Sequence, residues 1–273
     1  MPLPETLYGK QSSILITGAS SGIGAALAEH LAQYGGRLAL VARRAERLEQ
    51  VADQVRQRGG TALAVEADVT DPAAVQAAAL RIAAEQGPID VAFLNAGASD
   101  FMLLPRFDAA RLRRLFEVNV FGVIHWLEAL LPDMISRGSG IIAGTSSLAA
   151  GRGIPGQSGY AASKAAVSAL LDGLRAEARQ FGVQLTIVEP GFVKSEMTAN
   201  ATIPMPFMIE AAQAARVIAE GVAEGRSRVR FPWQIAAAMQ VFRHLPAPVY
   251  DKVGDSILKK RRAAKAARQR QSS

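Results

Sequence analysis

The stretch Ser13-Ile14-Leu15-Ile16-Thr17-Gly18-Ala19-Ser20-Ser21-Gly22-Ile23-Gly24-Ala25-Ala26-Leu27 decides the fold. It opens with a short aliphatic run of strand character and passes through three glycines within seven positions. It then takes up the 3.6-residue period of an amphipathic helix. A strand, a glycine turn and a helix start in immediate succession form a site for a pyrophosphate. Glycine lets the backbone come within contact distance, and the free N–H groups and dipole of the helix start favour negative charge. The spacing is G-x-x-x-G-x-G. The alternative is an ordinary turn of small residues, and the switch of period at the glycines favours dinucleotide binding.

Outward from this turn, β-branched and aliphatic runs alternate with longer helical segments, as in repeated βαβ units around a parallel sheet. Strands are predicted near residues 13–17, 37–42, 61–66, 91–95, 140–145, 184–189 and 228–231. Helices are predicted near 23–34, 44–58, 72–86, 109–136, 160–181 and 210–224. Asp71 and Asp108 suit helix starts, and Gly59, Gly87, Gly138 and Gly182 suit helix stops. No linker or repeat interrupts the series, so residues 1–232 read as one α/β domain, a doubly wound parallel sheet of about seven strands with helices on both faces. Residues 233–273 read as a helical extension: a helix over 233–243, a break at Leu245-Pro246-Ala247-Pro248, and a second helix from Tyr250 into a basic end.

Composition narrows the chemistry. The 273 residues hold three His and no Cys, which excludes a disulfide framework and a thiolate nucleophile and leaves little for a metal site, so none is expected. The start has no uninterrupted apolar run of the signal-peptide kind. The apolar stretch over 121–135 is interrupted by His125, Glu128, Pro132 and Asp133, so no spanning helix is expected. The net charge of +7 is matched by seven cations among the last fifteen residues, Lys259, Lys260, Arg261, Arg262, Lys265, Arg268 and Arg270. The body is therefore neutral overall, and a nucleic-acid partner is not expected. A cytoplasmic location fits this composition.

Three further features carry chemistry. Where the second strand ends, an enzyme for the cofactor without a 2′-phosphate usually has an acid that accepts from the ribose. Here the chain reads Val41-Ala42-Arg43-Arg44, and a guanidinium grips a phosphate through paired N–H donors. A solvated helix start is the alternative, although two cations there oppose the helix dipole. Tyr160 and Lys164 lie one helical turn apart on the same face. Ser147 stands just past the fifth strand, at the sheet edge where open α/β folds place ligands.

With these motifs in order, the sequence resembles the short-chain dehydrogenase/reductase family from Ser12 to about Phe231. The resemblance rests on Thr17-Gly18-x-x-x-Gly22-x-Gly24, Asp68-Val69, Asn95-Ala96-Gly97, Asn119, Ser147, Tyr160-x-x-x-Lys164 and Pro190-Gly191. Leu94 stands where the family often has a first Asn. The resemblance implies a Rossmann fold and a catalytic set of Asn119, Ser147, Tyr160 and Lys164. It implies a cofactor held by Gly18, Ser20, Ser21, Gly22, Ile23 and Gly24, with Arg43 and Arg44 at its 2′-phosphate, hence NADP(H). Asp68 and Val69 would lie near the adenine, and Asn95, Ala96 and Gly97 would support the cofactor. Pro190, Gly191 and Val193 would border the nicotinamide, with Ser195 in place of a frequent Thr.

The implied reaction interconverts a carbonyl and a secondary alcohol. Tyr160 passes the proton, and Lys164 lowers a phenol pKa that is ordinarily near ~10. Ser147 donates to the substrate oxygen. Asn119, read without the motif, is a tolerated polar residue in a long helix; the family pattern makes it disturb that helix and hold a water. An NAD-dependent alcohol dehydrogenase and a non-catalytic NADP(H) sensor or scaffold are the alternatives.

Specificity is expected from loops 148–157 and 192–209. In the second loop Phe192, Met197, Ile203, Met205, Phe207 and Met208 either close over an apolar substrate or pack on the body. A homodimer or homotetramer is the family expectation. Tyr250, Val253, Ile257 and Leu258 fall on one helical face ahead of the cationic run. That pattern suits peripheral contact with an anionic membrane, an oligomer contact, or a solvated basic end.

Overall fold

A computed structural model describes residues 4–199 and 205–271, with side chains as far as Lys259 in the last helix. The strands are β1 (Ser13–Thr17), β2 (Arg37–Ala42), β3 (Thr61–Glu66), β4 (Val91–Leu94), β5 (Gly140–Thr145), β6 (Val183–Pro190) and β7 (Arg228–Phe231). The helices are α1 (Pro4–Leu7), α2 (Gly22–Ala32), α3 (Ala45–Gln57), α4 (Pro72–Gln86), α5 (Ala109–Phe116), α6 (Gly122–Arg137), α7 (Ser158–Ala178), α8 (Glu196–Ala199), α9 (Ala211–Ala223), α10 (Trp233–Arg243) and α11 (Ala247–Gln271). Asp71 caps α4 by accepting from Ala73 and Ala74, and Asp108 caps α5 by accepting from Ala110 and Arg111. Gly138 and Gly182 take the left-handed conformation that closes a helix.

All seven strands are parallel in the order β3-β2-β1-β4-β5-β6-β7. Both faces of such a sheet are covered, which explains the continuous apolar runs in place of alternation. Along β1, Ile14 and Ile16 pack toward a layer with α2, α3 and α9. Leu15 packs into the opposite layer, with Trp126, Leu127 and Leu130 of α6 and Val167 and Leu171 of α7. The strand order turns back between β1 and β4, so the connections leaving their C-terminal ends go to opposite faces and open a crevice.

The helix predicted over 109–136 is a continuous run with a π-helical segment at Glu117–Phe121 between α5 and α6. By length and composition Ala109–Arg137 could cross a bilayer, contrary to the sequence expectation. The structure uses it as a core helix, with Leu115, Asn119, Val120, Trp126, Leu130 and Met134 buried.

The extension departs from the expected membrane face at its first residue. Tyr250 donates its hydroxyl to the Gly153 carbonyl (3.1 Å), and its ring lies under the Arg152 guanidinium, 4.1 Å from the centroid. Arg152 also donates to the carbonyls of Phe242, Arg243 and Leu245 at the end of α10. Tyr250 is thus turned to the protein, and α10 and α11 are pinned to the loop after β5. The side chains of the cationic run after Lys259 and of Ile203 lie outside the described residues.

Candidate active site

Gly18, in the left-handed region at φ 67°, begins the crevice. A Cβ there would come 2.8 Å from the Ala96 Cα, and one at Gly24 would come 2.4 Å from the Gly18 carbonyl oxygen. The turn is therefore packed against the end of β4 and against itself too closely for a side chain at either position. Ser21, at the N-cap of α2, makes no side-chain cap bond, so the first N–H groups of that helix are left for another acceptor. Ser20, Ser21 and Ile23 are half-buried along the same turn. These residues fit a dinucleotide.

The buried Thr17 joins this turn to the end of β4: its hydroxyl accepts from the Asn95 and Ala96 N–H groups, each at 3.0 Å. The Asn95 amide donates to the Thr17 carbonyl (3.3 Å). Asp68 accepts from the Thr70 N–H and hydroxyl (3.0 and 2.9 Å) and, at 3.5 Å, from Arg43. Burial pushes its carboxyl up, but the Thr70 bonds and the Arg43 charge outweigh this and hold it below the usual range. Val69 is buried, and its carbonyl accepts from His125 Nδ1 (2.9 Å). The amide, carboxylate and guanidinium groups named for the cofactor all lie along the C-terminal ends of β1 to β4.

The residues expected to be catalytic gather at the ends of β5 and β6. Ser147 Oγ accepts from the Ala149 N–H (3.1 Å) and donates to the Pro190 carbonyl (3.4 Å), which ties it to the end of β6. Tyr160, in the first turn of α7, bonds through its hydroxyl to Ser147. Burial raises the phenol pKa, and the Ser147 bond offsets part of that rise. Lys164 is buried and donates to the Thr145 carbonyl (2.8 Å). Burial lowers its ammonium pKa to about 8, because water no longer solvates the charge.

Asn119, at the centre of the π-helical segment, is fully buried. It accepts from the Ala98 N–H (2.8 Å) and donates to the Ala98 carbonyl and to Ser163 Oγ, each at 2.9 Å. Its amide thus clasps the peptide that follows Gly97. A Cβ on Gly97 would sit 3.3 Å from both Asn119 Oδ1 and Lys164 Nζ, so the Gly97 turn forms one wall with these two side chains.

Beyond Pro190, the Gly191 N–H donates to the Phe231 carbonyl (2.7 Å), and Val193 is buried and bridges to Ile209. Ser195 crosses over the glycine turn, its Cβ 3.2 Å from where a Cβ on Gly22 would be. Met197, Phe207 and Met208 are exposed in this loop, so these three do not serve as packing on the body.

Sequence reasoning missed four contributors. Ser146 is buried, donates to the Lys164 carbonyl (2.8 Å) and bonds Ser168, fixing α7 against β5. Ser163 links Asn119 to the Tyr160 carbonyl. Its place three residues after Tyr160, on the same helical face, was the available signal. Arg47 and Glu196 join Arg44 beside the glycine turn, and their separation of about 150 residues left no local signal.

Comparison with known proteins bears on the family and the fold. Residues 12–205 match the short chain dehydrogenase family. An uncharacterized oxidoreductase of Myxococcus xanthus is 39% identical over 237 residues, covering 87% of this chain and 94% of the relative. A short chain dehydrogenase/reductase from Burkholderia phymatum, solved in complex with NAD, superposes with a TM-score of 0.77 at 28% identity, over 84% of this chain and 92% of that one. An alcohol dehydrogenase from the archaeon Thermococcus sibiricus, complexed with 5-hydroxy-NADP, gives 0.74 at 28% identity, over 81% and 95%. The chain is an oxidoreductase and belongs to the short-chain dehydrogenase/reductase family, whose fold binds NAD(P) and acts on small molecules.

Proposed function

We propose that this chain is an NADP(H)-dependent oxidoreductase that interconverts a carbonyl and a secondary alcohol, with Tyr160 as general acid and base. The observation that carries this reading is the bond between Tyr160 and Ser147 at the end of β5, with the buried Lys164, one turn further along α7, against the Gly97 turn. When bound, the cofactor supplies or takes up the hydride. The rest belongs to the protein. The Ser147 hydroxyl donates to the substrate oxygen and stabilises charge that builds there. Tyr160 gives its phenolic proton to that oxygen in reduction and removes it in oxidation. Its raised pKa keeps the phenol protonated at neutral pH, which favours its work as an acid. Lys164 places an ammonium at the base of the pair and stabilises the phenolate left behind.

An apolar substrate is supported by the exposure of Met197, Phe207 and Met208 beside the nicotinamide-side loop. Arg43 and Arg44 at the end of β2 support NADP(H). The expected result is a smaller dissociation constant for NADPH than for NADH; equal constants would contradict it. A screen of ketones and 3-ketoacyl thioesters followed by NADPH absorbance tests the reaction class. One observation favours NAD(H) as a second reading: Arg44 is already bonded to Ser20, Ser21 and Glu196. We further infer that the cationic end makes peripheral contact with anionic lipid, supported by its seven cations.

A further inference from the structure

No acid stands at the end of β2, yet one reaches that place from elsewhere in the chain. Arg44 spreads its donors over three partners: Nε and Nη2 go to Ser20 Oγ (3.2 and 3.0 Å), Nη2 also to Ser21 Oγ (2.8 Å), and Nη1 to Glu196 Oε2 (2.8 Å). The other Glu196 oxygen accepts from Arg47. One carboxylate is therefore shared by two guanidiniums directly beside the glycine turn. Glu196 opens α8, right after Ser195, the residue that crosses over Gly22. The Arg44 hydrogen bond holds the carboxyl below its usual range, so it is anionic at neutral pH.

A carboxylate and a phosphate present the same planar pair of oxygens to a guanidinium and compete for it. The ribose 2′-hydroxyl is different, since it is a neutral donor that an acid can accept. We propose that Glu196 is a cofactor-specificity residue: from the loop after β6 it supplies the acid that β2 lacks, occupies the guanidiniums a 2′-phosphate needs, and so favours NAD(H) over NADP(H). The proposal rests on the reading that the end of β2 meets the adenine ribose. Arg44 and Arg47 set the attraction for the phosphate, Glu196 sets the opposition, and the balance decides the preference.

The test is calorimetric binding of NADPH, NADH and 2′,5′-ADP to the intact chain, for wild type, Glu196→Gln, Arg44→Ala and the double variant. Glu196→Gln should tighten NADPH and 2′,5′-ADP about 10-fold, the scale of a charge-assisted bond, and leave NADH the same or weaker. In the Arg44→Ala background the same change should tighten NADPH by a smaller factor than in wild type, because one of the two contested guanidiniums is gone and only Arg47 is released. Glu196→Asp, which keeps the charge but falls short of Arg44, should shift the ratio in the same direction and serves if the Gln variant folds poorly. An unchanged NADPH-to-NADH ratio in folded Glu196→Gln and Glu196→Asp overturns the proposal, as does failure of every variant to bind 2′,5′-ADP. A wild type that prefers NADH contradicts the NADP(H) reading alone, and the variants' shift still decides the role of Glu196.

Discussion

Lys164 shows what burial does to a single residue. A lysine one turn from a tyrosine reads, in sequence, as a fixed positive charge that lowers the phenol pKa. In the structure its ammonium is buried with the Thr145 carbonyl as its hydrogen-bond acceptor, and its pKa falls to about 8, while the phenol rises. Above that pH the lysine loses its proton and with it the ability to stabilise a phenolate. Carbonyl reduction should therefore hold level up to about pH 7 and decline as pH rises through about 8. A kcat profile that stays flat to pH 10 would show that the ammonium does not titrate there. The spacing of Tyr160 and Lys164 was legible in the sequence. The burial of Lys164 against the Thr145 carbonyl and the Gly97 turn joins distant parts of the chain and was not.

At the scale of elements, the strands and most helices followed from apolar runs, and Asp71, Asp108, Gly138 and Gly182 acted as the helix signals their chemistry suggests. The π-helical segment around Asn119 had no propensity signal, because it exists to point an amide at the Ala98 peptide, a contact between distant parts of the chain. The short α8 was missed for a related reason: its place is set by Arg44 and Arg47 and by the Thr198 hydroxyl, which accepts from the Ser195 N–H and donates to the Val193 carbonyl. The extension is tied to the loop after β5 through two side chains, Arg152 and Tyr250. Arg152 binds the carbonyls that end α10 and covers the Tyr250 ring, and its loop begins at Ser147. Arg152→Ala should lower Tm by roughly 2 to 6 °C, since such contacts contribute about 1 to 2 kcal/mol, and should speed amide exchange in α11. Exchange in α11 as slow as in the parent would mean that the extension is held by packing alone.

For the whole molecule, charge is divided between a neutral body and a basic end. Each cation near an anionic bilayer contributes about 1 kcal/mol, screened over ~8 Å at physiological ionic strength. The full chain should co-sediment with anionic vesicles at low salt and release as salt rises, and removal of residues 259–273 should abolish this while leaving NADPH affinity intact. Equal sedimentation of both forms would exclude the lipid contact, and a change of oligomer mass on truncation would make the end a subunit contact. The central claim is that the fold assembles two separable functions along one crevice, a dinucleotide cradle at β1 to β4 and a proton donor at β5 to α7. Tyr160→Phe separates them, because it keeps the ring and removes the transferable proton. On a substrate found by the screen, measurement of kcat and NADPH dissociation constant together should give a fall of at least about 100-fold in kcat with cofactor affinity within about 2-fold of wild type. Retention of most of the turnover by Tyr160→Phe would contradict the account.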